Sequence, residues 1–140
     1  DALPISQIMA LLADIRDDFG TAMILITHDL GIVAGACERT LVMYGGQIME
    51  QGETQALFDA PSHPYTKGLL RAVPRIDRDD DELLTIAGEP PDMSNLPAGC
   101  PFTPRCDIAK DRCMATKPQL IDTDGRKRAC HADIAEVANV

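Results

Sequence analysis

The 140-residue chain has no tryptophan, and aromatic residues make up only 4% of it, so aliphatic side chains must fill any core. It has no apolar run near the ~20 residues that cross a bilayer. The longest, Ala22 to Ile26 (AMILI), suits a buried strand instead. Positive charge is scarce: 13 Lys and Arg stand against 22 Asp and Glu, a net charge of -9. That balance argues against a nucleic-acid partner, which calls for a basic surface. No basic n-region followed by an apolar stretch opens the chain, so no secretory signal is read there. The abrupt DALPIS start without methionine reads as a fragment. Cysteine is rare in the first two thirds, where Cys37 stands alone among small apolar residues and is expected in a core.

What is present begins with helical spacing. Ile5, Ile8, Met9, Leu12, Ile15 and Phe19 predict a helix over 5–19, closed by Gly20. Ala22–Ile26 then predicts a parallel strand covered on both faces. Asp29 is placed to cap a helix over Leu30 to Cys37. RTLVMY (39–44) and Gln47 to Gln51 predict two strands joined by a turn at Gly45-Gly46. Short helices are expected over 54–59, 66–72 and 132–140. The fold class is α/β. Three segments are expected: 1–60, then 61–98 as a helix and an acidic, proline-rich linker, then 99–140. Five acids between Asp77 and Glu82 mark the linker as solvated.

The last segment carries four cysteines: Cys100, Cys106, Cys113 and Cys130, separated by five, six and sixteen residues. Few large apolar residues accompany them, so the segment is expected to need a staple. An odd cysteine total without a secretion signal disfavours a disulfide framework. Four thiolates repel one another unless a cation compensates. They suit a [4Fe-4S] cluster, one thiolate per iron, or tetrahedral Zn²⁺. Structural zinc sites favour tighter C-x₂₋₄-C knuckles, so the cluster ranks first, zinc second and free thiols third. Arg105, Lys110, Arg112, Arg126, Lys127 and Arg128 are available to offset cluster charge, and His131 to support the ligands from behind or, as the alternative, to substitute for one.

His28 follows the Ala22–Ile26 run and precedes a helix. In open α/β sheets that edge binds ligands, although position alone favours a structural histidine. The stretch ILITHDLGIVAGACERTLVMYGGQIMEQG resembles the end of the ATPase domain of ABC transporters, with Glu50 and Gly52 fitting a G-x-I-x-E-x-G pattern. The resemblance implies that His28 is the switch histidine at the ATP γ-phosphate. Positioning and electrostatics dominate phosphoryl transfer, which suits such a role. It also implies ATP and Mg²⁺ as cofactors of a full-length protein. These 140 residues contain no G-x-x-x-x-G-K-[ST] loop and no LSGGQ-type signature, so this chain alone is expected not to hydrolyse ATP.

Downstream, His63-Pro64-Tyr65 and GEPPDMSNLPAGCPFTPRC resemble the C-terminal extension of the oligopeptide/dipeptide and nickel importer subfamily. Taken by itself His-Pro-Tyr reads as a turn, with His63 structural. The resemblance implies an ABC-type P-loop ATPase domain ending in a small cysteine-rich, metal-stapled extension. Its implied partners are transmembrane permease subunits, a second ATPase subunit and, indirectly, an extracytoplasmic peptide-binding protein. Its implied place is the cytoplasmic face of a bacterial or archaeal membrane, with dipeptide, oligopeptide or nickel cargo. The rival reading is a stand-alone iron-sulfur or zinc module in electron transfer or regulation.

Overall fold

A computed structural model describes residues 4–73, 85–123 and 125–139. The acidic run at 77–82 therefore lies outside the described residues. The chain divides into two compact units, Asp1–Glu38 and Arg39–Val140.

In the first unit, helix α1 spans Ile5–Phe19 and ends at Gly20, whose left-handed φ of 60° lets its N–H reach the Arg16 carbonyl. Helix α2, Leu30–Ala36, starts where the Asp29 carboxylate accepts from the Gly31 and Ile32 amides at 2.8 and 3.1 Å. Between them the structure differs from expectation. Ala22–Ile26 is not a strand, and Ile24 and Ile26 are 91% and 94% exposed. A strand exists only through a neighbour's backbone hydrogen bonds, and none pairs with this run among the described residues. Val33 is the only buried residue among the described residues of this unit. Cys37 is half-buried at the end of α2, not a core thiol as its neighbours suggested.

The second unit is built on a sheet. Strand β1 (Arg39–Tyr44) pairs antiparallel with β2 (Gln47–Glu53) through a two-residue turn. Gly45 and Gly46 have φ of 55° and 73°, the left-handed geometry this turn requires. Helix α3 (Thr54–Asp59) follows at once, and the Thr40 and Thr54 hydroxyls meet at 2.8 Å. Helix α4 covers Pro64–Arg71, two residues earlier than its apolar pattern predicts. Proline at its first position has no amide to leave unsatisfied and carries a helical φ, and His63 caps the end.

The cysteine segment folds onto this hairpin. A short 3₁₀ turn, Thr103–Arg105, leads to helix α5 (Asp111–Ala115), strands β3 (Ile121–Thr123) and β4 (Arg126–Arg128), and helix α6 (Ile134–Ala138). Strand β4 pairs with β2, giving the antiparallel order β1-β2-β4-β3. Phe102 and Cys100 enter one hydrophobic cluster with Tyr44 and Met49. Tyr65 packs on it, its ring 4.6 Å from Tyr44 and 5.2 Å from Phe102. The segment thus obtains burial by sharing the hairpin's core. The premise that a cross-link must replace an absent core is corrected on this point.

Candidate functional site

The polar centre of the second unit is Glu50, fully buried in β2. One carboxylate oxygen accepts from the Ser62 amide (2.8 Å), the Ser62 hydroxyl (2.6 Å) and Arg126 Nη2 (2.9 Å). The other accepts from the His63 amide at 3.0 Å. A buried charge is tolerated only when paired and hydrogen-bonded, and this one has both forms of support. Arg126 Nη2 also donates to the Ala60 carbonyl at 2.6 Å, and Arg128 Nη1 reaches the Ser62 carbonyl at 3.3 Å. One carboxylate therefore draws together β2, the approach to α4, and β4.

His63 is 1% exposed. Its Nδ1 accepts from the Tyr65 amide at 3.0 Å. A backbone amide only donates, so the neutral ring carries its proton on Nε2. Burial is the main influence on its basicity and lowers its pKa to about 4; the Glu50 charge works in the opposite direction.

Beside His63 lies a small recess of about 20 Å³. Cys100, Cys106, Cys113 and Cys130 all line it, with Phe102 and His131. The structure thus gathers the four cysteines that the sequence singles out. The Cys100 amide donates to the Cys113 carbonyl at 2.8 Å, and the Thr103 hydroxyl donates to the same oxygen at 3.0 Å. Gly99 permits this approach, since a side-chain carbon there would collide with the Cys113 carbonyl. The thiols are free. Burial raises those of Cys100 and Cys130 and pushes Cys106 up to about 11, and each also feels the charge of Cys113.

The donor set suits a sulfur-ligated centre, because the raised thiols of Cys100, Cys106 and Cys130 gain most from a cation that holds them as thiolates. Their arrangement is less committed. Among the described residues no group of three or more His, Cys, Asp or Glu side chains is arranged to hold a metal ion. A single zinc would draw its sulfurs to within about 4 Å of one another, given Zn–S bonds of about 2.3 Å in a tetrahedron. The expected metal staple is therefore not displayed by the fold.

The expected charge compensation is also mostly redirected. Arg126 serves Glu50. Arg105 donates to the Ile86 and Ala87 carbonyls at 2.7 and 2.9 Å. Lys110 pairs with Glu136 at 2.6 Å. Arg128 does act on a thiol, favouring the charged form of Cys130. His131 Nε2 lies 2.9 Å from the Thr116 carbonyl, which holds its ring at the recess wall.

His28 belongs to the other unit and is exposed at a bend, where Asp29 caps α2. Sequence reasoning missed Arg126 and Ser62 as partners of Glu50. A buried acid in a strand signals that donors must exist, but nothing in its spacing says which.

Comparison with known proteins finds sequences similar to this chain. Residues 49–113 match a family model described as the oligopeptide/dipeptide transporter, C-terminal region. The oligopeptide transport ATP-binding protein OppD of Salmonella typhimurium is 49% identical over 132 residues, 94% of this chain and 39% of that protein. OppD of Escherichia coli is 48% identical over the same shares. The dipeptide transport ATP-binding protein DppD of Escherichia coli is 44% identical over 127 residues, 90% of this chain and 39% of that protein. The chain spans about two fifths of the length of these relatives. Over most of its own length the chain is thus similar to part of the ATP-binding subunits of ABC transporters. Among these the similarity is to oligopeptide and dipeptide transport proteins.

Proposed function

We propose that the chain is part of an ATP-hydrolysing subunit that energises peptide import across a bacterial cytoplasmic membrane. The observation that carries this is the 44–49% identity, through about nine tenths of the chain, to oligopeptide and dipeptide transport ATP-binding proteins. The subunit works with transmembrane permease subunits and a second ATPase subunit, and draws cargo from an extracytoplasmic peptide-binding protein. It acts from the cytoplasmic face. No helix among the described residues is long and apolar enough to cross a membrane, which accords with a peripheral position.

His28 contacts the γ-phosphate of ATP in this reading, with Mg²⁺ and the phosphate loop supplied by the remainder of the subunit. Its exposure leaves the ring available to a ligand. A histidine there senses nucleotide state and orients the attacking water, and such positioning is most of what phosphoryl transfer needs. The recess cysteines are the ligands of a [4Fe-4S] cluster, one thiolate per iron, with zinc as the alternative. When bound, that group would cross-link the loops around Phe102, adding to the burial they share with the hairpin. The names of the relatives favour this assignment over a stand-alone iron-sulfur or zinc module.

The test is peptide uptake in cells carrying His28→Ala in the full-length subunit, with subunit assembly checked by co-purification of the permease. Assembly retained and uptake abolished is the expected result. Normal uptake overturns the role of His28, and loss of a peptide-transport phenotype on deletion of the whole gene is required for the wider reading.

A further inference from the structure

The backbone does not hold the four recess cysteines alike. Cys100 and Cys113 are joined directly, the Cys100 amide donating to the Cys113 carbonyl at 2.8 Å. The Thr103 hydroxyl donates to the same oxygen at 3.0 Å, so the loop that carries Cys100 is fastened to Cys113 twice. The absence of a side chain at Gly99 lets the two segments meet so closely. Both cysteines line the recess, and Cys113 packs against the hydrophobic cluster that contains Cys100. Cys106 and Cys130 make no such bond to another of the four among the described residues; the Cys106 amide and carbonyl are engaged with Thr103 and Ala109 at 3.2 and 3.1 Å. Residues joined by a backbone N–H···O=C bond between separate segments stand about 5–6 Å apart at Cα. A disulfide spans about 4.4–6.8 Å between the same atoms. Both thiols are free.

We propose that Cys100 and Cys113 are a thiol-oxidation site: they form a reversible disulfide, and that link excludes a metal or cluster from the four-cysteine recess. The oxidant is a small organic disulfide such as oxidised glutathione. The Cys113 thiolate, on the more exposed of the two residues, attacks one sulfur of the oxidant, and one glutathione thiolate leaves. The Cys100 thiol then gives up its proton and attacks the Cys113 sulfur of that mixed disulfide, which releases the second glutathione. Two cysteine sulfurs are oxidised, the two sulfurs of the oxidant are reduced, and the two cysteine protons end on the two glutathione thiols. The linked state leaves Cys106 and Cys130 as the free sulfurs of the recess, too few for a four-thiolate site. The linkage stands on the backbone geometry alone, whereas its competition with a ligand rests on the reading of the recess as a ligand site.

The test is a map of cysteine pairing. The 140-residue chain is stripped of metal with a chelator under reducing conditions, desalted without oxygen and incubated with excess oxidised glutathione. Remaining thiols are capped with iodoacetamide, and the unreduced protein is digested with trypsin and read by mass spectrometry. Arg105, Lys110, Arg112, Arg126 and Arg128 stand between the four cysteines, so each falls on its own peptide. The expected result is one linked pair, Cys100 with Cys113, and joint loss of alkylation at these two positions. Cys37, Cys106 and Cys130 are expected to carry no link to another cysteine. In Cys106→Ser the same pair is expected to form, and in Cys113→Ser the remaining Cys100 is expected to stay unlinked.

Cys100 linked mainly to Cys106 or Cys130 overturns the proposal. Glutathione adducts on Cys100 and Cys113 with no link between them overturn it as well. The competition is tested separately with Zn²⁺ alone: reduced and linked chains are each equilibrated with the ion, desalted and analysed for metal. Zinc held by the reduced chain and lost from the linked one is the expected result. Equal zinc in both chains overturns the exclusion. No zinc in either refutes the zinc form of the ligand reading and the exclusion with it, while the pairing map still decides the disulfide.

Discussion

Replacing Glu50 with glutamine preserves shape and removes only charge and one acceptor. The native carboxylate receives four hydrogen bonds, three on one oxygen and one on the other. An amide has one oxygen and one NH₂ group. With its oxygen turned to Ser62 and Arg126, its NH₂ confronts the His63 amide, donor against donor. The His63 amide is then buried without an acceptor, which costs about 1–3 kcal/mol. Arg126 also loses its counter-charge, and breaking a buried pair costs about 3–5 kcal/mol in total. Arg126 retains partial exposure, 27% by side chain, and keeps the Ala60 carbonyl, so the lower end applies. About 3 kcal/mol corresponds to a fall in Tm of roughly 12–24 °C for a unit of this size. Thermal melting by circular dichroism measures it, and Arg126→Met with the double variant completes a coupling cycle. A Glu50→Gln chain melting within about 3 °C of the parent would refute the view that this carboxylate holds the unit together.

Other expectations are more local. The lowered pKa of His63 makes it a proton sink only when unfolded: between about pH 6.5 and 4 the unfolded chain binds the proton and the native one does not. Stability is fully present above pH 6.5 and falls as pH drops toward 4, by about 3 kcal/mol from this group. Urea midpoints at pH 7 and 4.5, compared with those of His63→Asn, isolate that share. Gly99→Ala is expected to break the Cys100–Cys113 backbone bond and expose the recess thiols, read by the rate of alkylation. Gly52→Ala forces a carbon to 2.7 Å from Leu57 Cδ1 and is expected to lower Tm by several degrees. The purified 140-residue chain is expected to show no sustained Mg²⁺-dependent ATP turnover, and a coupled phosphate-release assay checks it.

Local signals in the sequence carried much of the fold. The i, i+3, i+4 pattern before Gly20 predicts α1, and the structure places it at Ile5–Phe19. Asp29 caps α2, and Gly45-Gly46 turns the hairpin, because each acts within four residues of itself. Ala22–Ile26 fails as a strand for the opposite reason. Apolar composition states that a segment wants burial, but hydrogen-bonding neighbours make it a strand, and among the described residues none pairs with it. The register of β4 on β2 was likewise not legible. RKR at 126–128 has the composition of a solvated loop, and its place in the sheet depends on Arg126 finding a carboxylate 76 positions away. The cysteines were legible as a set but not as a geometry, since spacing says nothing of how the chain between them folds back.

Three motifs that read separately along the chain prove to be parts of one clasp. The acid of G-x-I-x-E-x-G at Glu50 supplies acceptors to the residues that introduce His-Pro-Tyr, and Arg126 supplies the positive charge from within the cysteine segment. A change in any one of them therefore disturbs the other two. Glutamine at Glu50 frees the His63 backbone, and with it the ring that caps α4 at the Tyr65 amide. The order matters for reading variants. A defect at Glu50 should appear in both melting and thiol reactivity, whereas a defect at Cys113, beyond the clasp, should loosen the recess and leave the β1–β2 hairpin in place. Cys113→Ser tested by limited proteolysis distinguishes these: cuts confined to the recess loops fit this hierarchy, and early cuts within residues 39–53 contradict it.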